Sequence, residues 1–488
     1  MKILLIKPPL NRYLLAPIIG EPLELEYLAS AAKEHDVEIL DMRIDKNLVD
    51  KLEKFNPNIV GITGYTCDVN AAKEVLKEVK KFNRNIVTAI GGHHATFMPF
   101  DYTLPFVDVI FIGMSDLSFK EYINTLETGK DVYAVKNIAL RKECEFYFTE
   151  KANFNVNLDS LPFPSRNLTR HYRKYYRDQM RNKTTLLLTS RGCPFRCTFC
   201  ACWKLMQGKY ITRNPESVVE ELANLPEDVE FVNFADDNSL HSIRRAWRLS
   251  ELIQERKIKK KFSMYARVDT IVKHPDLIES LKAAGLDHLT MGIEAIKDED
   301  LNTLNKKTSV EQNNEAIRIL QKLGVTNSAH FIVNPDFVEE DFNELYRYVC
   351  KMNLFQPVFT VLTPLPGTEL YQKSCDRLAI RNYDFFDHVH SVLPTRLDRR
   401  EFYNQFVNLY AKSYSYRRYF KSVWKDFQST ISLSKNNLHY RGDRLSLLKM
   451  VFLHILAYPL KSKMRKMYRS EPLVDPSDRI HRVEECVR

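Results

Sequence analysis

Short apolar segments alternate with amphipathic helical segments twice along the chain. In the first series, up to about residue 140, apolar runs such as KILLIKPP, NIVGITGYT and IVTAIGGHH are separated by helical runs such as VNAAKEVLKEVKKF. Strands that alternate with helices of this length predict a parallel, doubly wound sheet. Such sheets bind ligands at the carboxyl ends of their strands. The residues that fall there, and that we predict to contact a ligand, are Pro8, Gly64, Thr66, Gly91, Gly92 and Gly113.

A second series of alternating segments follows an irregular stretch. Six apolar segments from TTLLLTSRG to FTVLTPLPG, separated by helical runs, predict a partial (β/α)6 barrel whose active site faces the carboxyl ends of the strands. A chain of 488 residues also exceeds what one core usually supports. We therefore expect an α/β protein with a Rossmann-like domain over 1–140, a linker over 141–183, the barrel over 184–385 and a helical, basic C-terminal extension over 386–488.

Composition and the chain ends narrow the class of protein. With 44% hydrophobic and 27% charged residues, the chain is typical of a globular protein. The first residues, MKILLIKPPL, lack a signal-peptide cleavage pattern and predict a buried strand, so we expect a cytoplasmic enzyme. Near the other end, LLKMVFLHILAY is too short to span a bilayer, but its basic flanks favour peripheral contact with the inner face of a membrane.

The net charge is the only sign of a nucleic-acid partner. The chain carries 72 Lys and Arg against 62 Asp and Glu, a net charge of +10. Much of the excess lies after about residue 400, scattered among aromatic residues rather than arranged as a known nucleic-acid reader. Nucleic-acid binding is therefore the disfavoured alternative.

Three of the nine cysteines, Cys193, Cys197 and Cys200, lie within eight residues, in SRGCPFRCTFC. Nine cysteines in a chain of this length are too sparse for a disulfide framework. A CxxxCxxC loop after a barrel strand supplies three thiolates to a [4Fe–4S] cluster and leaves its fourth iron open. S-adenosylmethionine (SAM) can chelate that iron, and one electron then splits the sulfonium to give a 5′-deoxyadenosyl radical. The alternatives are buried structural thiols or a zinc site that Cys202 completes.

Other residues around this loop are candidates for SAM binding. Charged side chains at the ends of barrel strands point into the site, where they can bind ribose hydroxyls and the amino group. His93 and His94 are expected to hydrogen-bond within their loop rather than to bind a metal, and His388 and His390 are expected to be structural. The predicted SAM contacts are Phe199, which precedes the third cysteine and would pack near the adenine, and Asp236, Arg267 and Glu294.

These motifs together resemble those of a known family. SRGCPFRCTFC, NFADDN, MGIEA and LTPLPGTELY are similar to the radical SAM family that carries an N-terminal cobalamin-binding domain, over about residues 1–385. Within that family, EPLELEYLASAAK and RNYDFFDHVHSVLPTRL are similar to the hopanoid C-3 methylase branch. The resemblance implies that cobalamin lies between the Rossmann-like domain and the barrel, with its upper face toward SAM.

The resemblance also implies a reaction. One SAM methylates cob(I)alamin, and a second yields the radical that abstracts hydrogen from an unactivated carbon, which then takes the methyl group. The implied substrate is a lipid or other apolar molecule, hopanoid-like by kinship, and the implied electron donor is a flavodoxin or ferredoxin. The alternative is a radical SAM enzyme that forms a ring or oxidises its substrate without methyl transfer.

The sequence departs from the family pattern at three points. It has no DxHxxG motif, so the family implies that cobalamin binds without a histidine on cobalt. The usual GEGE after the fourth N-terminal strand is Gly113-Met114-Ser115-Asp116, and the usual glycine-rich turn after the fifth barrel strand is Asn334-Pro335-Asp336.

Overall fold

The computed structural model describes residues 1–10, 19–152, 156–177 and 183–415, together with Tyr468. The predicted amphipathic segment LLKMVFLHILAY and most of the basic extension lie outside these residues. In the part of the chain that the structure describes, no helix has the length and apolar character needed to cross a membrane.

The first sheet has seven strands in the order β2-β1-β3-β4-β5-β6-β7. The first five are parallel, and β6 and β7 extend the sheet in antiparallel orientation. The order 2-1-3-4-5 places a topological switch point between β1 and β3, where ligands bind in such sheets. The strands are β1 Lys2–Lys7, β2 Asp36–Asp41, β3 Ile59–Thr63, β4 Val87–Gly91, β5 Val109–Phe111, β6 Ile138–Lys142 and β7 Glu145–Phe148.

Helices cover both faces of this sheet, which confirms the predicted doubly wound architecture. Along β1, Leu4 and Ile6 pack into one apolar cluster while Ile3 and Leu5 pack into another, because successive side chains of a strand point to opposite faces. A strand buried on both faces needs a continuous apolar run, as KILLIK provides. The helices are α1 Leu23–Ala31, α2 Leu48–Phe55, α3 Val69–Phe82, α4 His93–Phe97 and α5 Ser115–Glu127.

The second sheet is six-stranded and parallel throughout, in the order β15-β14-β13-β12-β11-β8. This is the predicted partial (β/α)6 barrel. A separate pair of short antiparallel strands, β9 and β10, lies in the connection between β8 and β11. The strands are β8 Thr184–Leu187, β9 Ser190–Arg191, β10 Ile211–Thr212, β11 Phe231–Phe234, β12 Lys261–Ala266, β13 Leu286–Glu294, β14 Thr326–Val333 and β15 Gln356–Val361.

The barrel helices bury their apolar stripes against the outer face of the strands in one cluster. In α12, for example, Ala316, Ile317 and Leu320 are fully buried, at the spacing of one helical face. The helices are α6 Cys202–Leu205, α7 Pro215–Ala223, α8 Ile243–Glu255, α9 Val268–Lys273, α10 Pro275–Ala283, α11 Asp298–Thr303, α12 Val310–Leu323, α13 Glu339–Lys351, α14 Glu369–Ser374 and α15 Arg399–Ser413.

The segment between the sheets is anchored to both of them. Arg166 donates to the carboxylates of Glu21, in the first part of the chain, and of Glu221 on α7, the latter at 2.6 Å. It also donates to the Leu186 carbonyl on β8 at 2.7 Å. The first sheet itself continues to Phe148, past the expected domain boundary at residue 140. The four-part division of the chain stays a prediction.

Candidate active site

The three clustered cysteines lie in the loop between β9 and α6, as free thiols. Gly192, just before the loop, has φ +87°, and a side chain there would overlap the Lys209 carbonyl. Its N–H donates to Asp237 at 2.7 Å. Farther along, the Thr198 N–H donates to the Leu304 carbonyl at 3.1 Å. The cysteine loop is therefore held at its start, by Gly192, and between its second and third cysteines, by Thr198, at the carboxyl-terminal side of the barrel.

The charges around the loop complement bound thiolates. Burial raises the pKa of the Cys197 thiol to about 11, while Lys306 and Arg267 act in the opposite direction. Among the described residues, no three His, Cys, Asp or Glu side chains converge on a single ion. A [4Fe–4S] cluster does not require that, because each cysteine binds a different iron. Three free thiols in one loop, faced by two cationic side chains, fit such a cluster.

Glu294 and Arg267 both contact Lys306 beside this loop, and their contact with SAM stays a prediction. Glu294 ends β13 at a bulge, with φ +63°, and its carboxylate accepts a hydrogen bond from Lys306 Nζ at 2.6 Å. Arg267 Nη2 donates to the Lys306 carbonyl at 2.9 Å, and its guanidinium lies 3.6 Å from the centroid of the Phe195 ring. A side chain at position 292 would overlap both Glu294 and Lys306, so Gly292 keeps this space open for the ion pair.

Asp236 and Asp237 have different roles. The Asp236 carboxylate is buried and accepts from the Thr189 N–H at 2.7 Å, the Thr189 hydroxyl at 2.6 Å and the Ser190 N–H at 2.9 Å. It therefore fixes the segment that follows β8, and its contact with SAM stays a prediction. The neighbouring Asp237 is exposed and is the carboxylate that this turn presents to the site.

A cavity of about 170 Å³ adjoins the cysteine loop. Besides Glu294, it is lined by Asn334, in the turn that departs from the family pattern, and by residues that the sequence analysis did not single out, including Ile332 and Leu362. Phe199 is half-buried in the loop and is not among the lining residues. A larger cleft of about 780 Å³ runs along the linker between Phe163 and Asp228, away from the cysteines.

The carboxyl edge of the first sheet presents an aromatic pair. Tyr65, between the predicted contacts Gly64 and Thr66, is 54% exposed, and its ring centroid lies 5.0 Å from that of His93. The ammonium of Lys7, at the end of β1, lies 5.2 Å from the Tyr65 ring centroid. An exposed aromatic side chain at the switch point fits a flat ligand such as a corrin ring.

The other predicted contacts at this edge shape its backbone. Gly92 has φ +100°, and a side chain there would approach the Thr63 hydroxyl within 2.8 Å, so glycine lets two loops pack. Gly91 ends β4 and Gly113, with φ +81°, follows β5, both half-buried. Pro8 is buried behind the edge rather than presented on it.

Two histidine predictions are confirmed by hydrogen bonds. His94 is buried, with Nδ1 3.2 Å from the Thr66 hydroxyl and Nε2 2.8 Å from Asp101 Oδ2. Thr66 is thus buried, with its hydroxyl beside His94, and its contact with a ligand stays a prediction. His390 is also buried and lies 2.8 Å from Asp387, and the His388 carbonyl accepts from the Val361 N–H at 2.7 Å.

The two carboxyl edges face each other. The Asp116 carboxylate pairs with Arg191, two residues before Cys193, at 2.6 and 3.0 Å. Asp237 acts to raise the pKa of His93, and Cys202 acts to raise the pKa of Tyr65, so both pairs lie close together across the same boundary. A ligand on the first edge therefore lies beside the cysteine loop.

Comparison with known families defines the class of this protein. The model of the Radical SAM superfamily matches residues 187–349, and that of the B12 binding domain matches residues 16–123. The chain therefore combines a radical SAM domain with a B12-binding domain, and it is a cobalamin-dependent radical SAM enzyme of the C-methyltransferase group. Its cofactors are a [4Fe–4S] cluster, SAM and cobalamin.

Individual relatives support this class. The chain is 28% identical to the hopanoid C-3 methylase of Methylococcus capsulatus, over 83% of this chain and 79% of that protein. It is also 28% identical to the anaerobic magnesium-protoporphyrin IX monomethyl ester cyclase of Cereibacter sphaeroides, over 83% of this chain and 68% of the other. The structure of the cobalamin-dependent SAM radical enzyme OxsB with aqua-cobalamin bound shares the fold, with a TM-score of 0.70 at 16% identity over 98% of this chain and 74% of that one.

Proposed function

We propose that this enzyme transfers a methyl group to an unactivated carbon of an apolar substrate, a hopanoid-like lipid. The observation that carries the proposal is the close approach of the two carboxyl edges, joined by Asp116 and Arg191 beside the cysteine loop. This arrangement brings the site of radical formation and the methyl donor to one cleft. The similarity to the hopanoid C-3 methylase supports the lipid class.

The residues have separable roles in this proposal. Cys193, Cys197 and Cys200 hold the cluster, and Lys306 with Arg267 balances the charge of the thiolates. When bound, the cluster and SAM supply the 5′-deoxyadenosyl radical and cobalamin supplies the methyl group. The first edge, with the glycines and Tyr65, holds the corrinoid. We further propose a flavodoxin or ferredoxin as electron donor, because the cluster takes single electrons, and a cytoplasmic location with peripheral membrane contact.

A second candidate is ring formation on a tetrapyrrole. The cyclase from Cereibacter sphaeroides is as similar to this chain as the methylase is, over the same share of it. In that reaction the radical would abstract hydrogen, but the product would carry no methyl group from SAM.

The test uses enzyme reconstituted without oxygen with iron, sulfide and hydroxocobalamin. It is supplied with reductant, CD3-labelled SAM and either a bacterial lipid extract or a tetrapyrrole extract, and mass spectrometry follows labelled product and 5′-deoxyadenosine. We expect the label in a lipid. Deoxyadenosine without labelled lipid refutes the proposal, and an unlabelled ring product favours the second candidate. Cys197→Ala should abolish both products, whereas the exposed Cys350→Ala should change neither.

A further inference from the structure

The lower end of the barrel lumen is closed by a polar floor to which all six strands contribute. Asn233 Nδ2 donates to the Thr184 hydroxyl at 2.5 Å, and the Ser263 hydroxyl donates to Asn233 Oδ1 at 2.7 Å. On the other side, His288 Nε2 lies 3.0 Å from the Ser328 hydroxyl, which donates to Gln356 at 3.4 Å. The side chains of this floor satisfy one another: Thr184, Asn233, Ser263, His288, Ser328 and Gln356.

Two polar side chains, Tyr265 and His330, lie two residues farther along the strands than the floor. Side chains two apart on a strand share a face, so Tyr265 lies above Ser263, and His330 lies above Ser328. The intervening Met264 belongs to the apolar cluster under the helices, which places Tyr265 on the lumen side. Tyr265 is nevertheless 44% exposed, so its ring borders open space inside the barrel.

Unlike the floor, these two side chains have no protein partner in the part of the chain that the structure describes, and their polar atoms remain accessible to a small molecule. Within the described residues, neither the Tyr265 hydroxyl nor the His330 imidazole has a hydrogen-bond partner; the Tyr265 N–H alone donates, to Ser239. Polar groups in a protein interior are normally paired, with protein, water or ligand. Burial lowers the pKa of the His330 imidazole, which leaves it neutral, with one donor and one acceptor nitrogen.

These two side chains also lie close to the reaction site. His330 is near enough to Glu294 and Lys306 to sense their charges, and this ion pair borders Cys197. A molecule that reaches from the cysteine loop into the lumen therefore meets Tyr265 and His330 before the floor stops it.

We infer that Tyr265 and His330 bind an oxygen-bearing group of the substrate, a hydroxyl or a carboxylate, and so position the carbon that is methylated. This inference rests on the proposed function and narrows it: the substrate is an apolar skeleton with an oxygen substituent, not a plain hydrocarbon. A hydrocarbon would displace water from both side chains and form no hydrogen bond with either of them. Sites built to hydrogen-bond a substrate group reject analogues that lack it strongly.

The test compares three probes on the holoenzyme with SAM bound: a pentacyclic triterpene hydrocarbon, the same skeleton with a side-chain hydroxyl, and a porphyrin with propionate groups. Equilibrium binding and transfer of the CD3 label are both measured. We expect at least one oxygenated probe to bind about tenfold or more tightly than the hydrocarbon. Comparison of the hydroxylated triterpene with the porphyrin shows whether the site prefers a hydroxyl or a carboxylate group.

Two conservative variants assign the preference to these residues. Tyr265→Phe and His330→Gln should each reduce it, with unchanged iron and corrinoid content, whereas Tyr133→Phe on the first domain should not. Equal binding of the hydrocarbon, no saturable binding of either oxygenated probe, or an unchanged preference in both variants overturns the inference. Selective binding without label transfer from any probe instead refutes the proposed methyl transfer and leaves the inference standing.

Discussion

Asp116 and Arg191 form a bidentate ion pair across the boundary between the two sheets, with Nη1–Oδ2 and Nη2–Oδ1 distances of 2.6 and 3.0 Å. Asp116 lies in the first turn of α5, directly after the Gly113 loop, and Arg191 ends β9, just before the cysteine loop. The position at which the family has the second glutamate of GEGE thus retains a carboxylate, and here it binds the barrel. One contact ties the carboxyl edge of the first sheet to the cysteine loop.

Removal of one partner of this pair should destabilise the protein. Both side chains are largely buried, so Asp116→Asn leaves an uncompensated guanidinium, at a cost of about 3 kcal/mol. We expect the apoprotein to unfold at a temperature several degrees lower, as followed by calorimetry. Asp50→Asn, which breaks the exposed pair with Lys54, should have no measurable effect. The double variant Asp116→Arg with Arg191→Asp should recover part of the loss; no recovery would contradict the pairing.

Cys202 provides a matched control for the cluster ligands. It begins α6, two residues after Cys200, and its thiol is close enough to lower the pKa of the Cys200 thiol. If the cluster takes only the first three cysteines, Cys193→Ala, Cys197→Ala and Cys200→Ala should each lose most iron and sulfide and all 5′-deoxyadenosine formation. Cys202→Ala should retain about four irons per chain and an electron paramagnetic resonance signal after reduction. Loss of iron in Cys202→Ala as well would make Cys202 a fourth cluster ligand and leave no open iron for SAM, and zinc in place of iron in the wild type would favour the zinc alternative.

Glu26 should make stability depend on pH. It is fully buried beside Glu21 and Arg166; burial, and then the charge of Glu21, raise its pKa from about 4.5 to about 8. Between these values the folded state binds a proton that the unfolded state releases, so stability falls as pH rises through this window and is level above it. Glu26→Gln has no carboxyl group to titrate, so this pH dependence should be missing from the variant.

The measurement is the melting temperature of both proteins from pH 5 to pH 8.5. The melting temperature of Glu26→Gln minus that of the wild type should increase with pH up to about pH 8. The melting temperature of the exposed variant Glu53→Gln should equal that of the wild type at every pH. A difference that does not change with pH would show that Glu26 is already ionised in the folded state.

The two sheets could be predicted from sequence because their signals are local. Apolar runs and helical periodicity indicate burial residue by residue, and the cysteine spacing lies within one loop. The antiparallel strands β6 and β7 were missed because the exposed face of an edge hairpin carries polar residues, as in RKECEFYF. Lys306 was missed because its pairing with Glu294 depends on how a loop between two helices folds back.

The different burial of Asp236 and Asp237 could not be predicted either, for a similar reason. Adjacent residues at a strand end point in opposite directions, so a shift of one residue decides which carboxylate is buried. The sequence shows that two aspartates follow the strand but not which of the two carboxylates is buried. Only the packing of Thr189 and Ser190 against the first carboxylate decides it.

Tyr65 should contribute to corrinoid binding through its ring rather than its hydroxyl. The ring is exposed at the switch point and is flanked by His93 and Lys7. Tyr65→Ala should weaken hydroxocobalamin binding about tenfold, because a large aromatic contact is lost, while Tyr65→Phe should retain most of it. Absorbance titration measures both. Tyr133→Ala, on an aromatic pair with Tyr147 elsewhere on the domain, is the control. Equal loss in Tyr65→Phe would assign the role to the hydroxyl instead.

A side chain at position 367 should destabilise the protein for two separate reasons, backbone strain and steric overlap. The Gly367 φ of +88° is strained for other residues, by about 1–2 kcal/mol, and a methyl group would also overlap the ring of Phe97 on α4. Gly208 separates these costs, because its φ of +73° is similar but a methyl group there meets nothing within 4 Å. Gly208→Ala should lower the melting temperature slightly and leave corrinoid binding intact.

Gly367→Ala should lower the melting temperature further and weaken corrinoid binding, because the loop after β15 can relieve the overlap only by moving away from the first domain. Calorimetry and hydroxocobalamin titration distinguish the two variants. The double variant Gly367→Ala with Phe97→Ala removes the overlap but not the strain, so its corrinoid affinity should approach that of Phe97→Ala alone. If Gly367→Ala instead behaves like Gly208→Ala, the loop accommodates the methyl group without separating the domains, and the contact with Phe97 does not set their spacing.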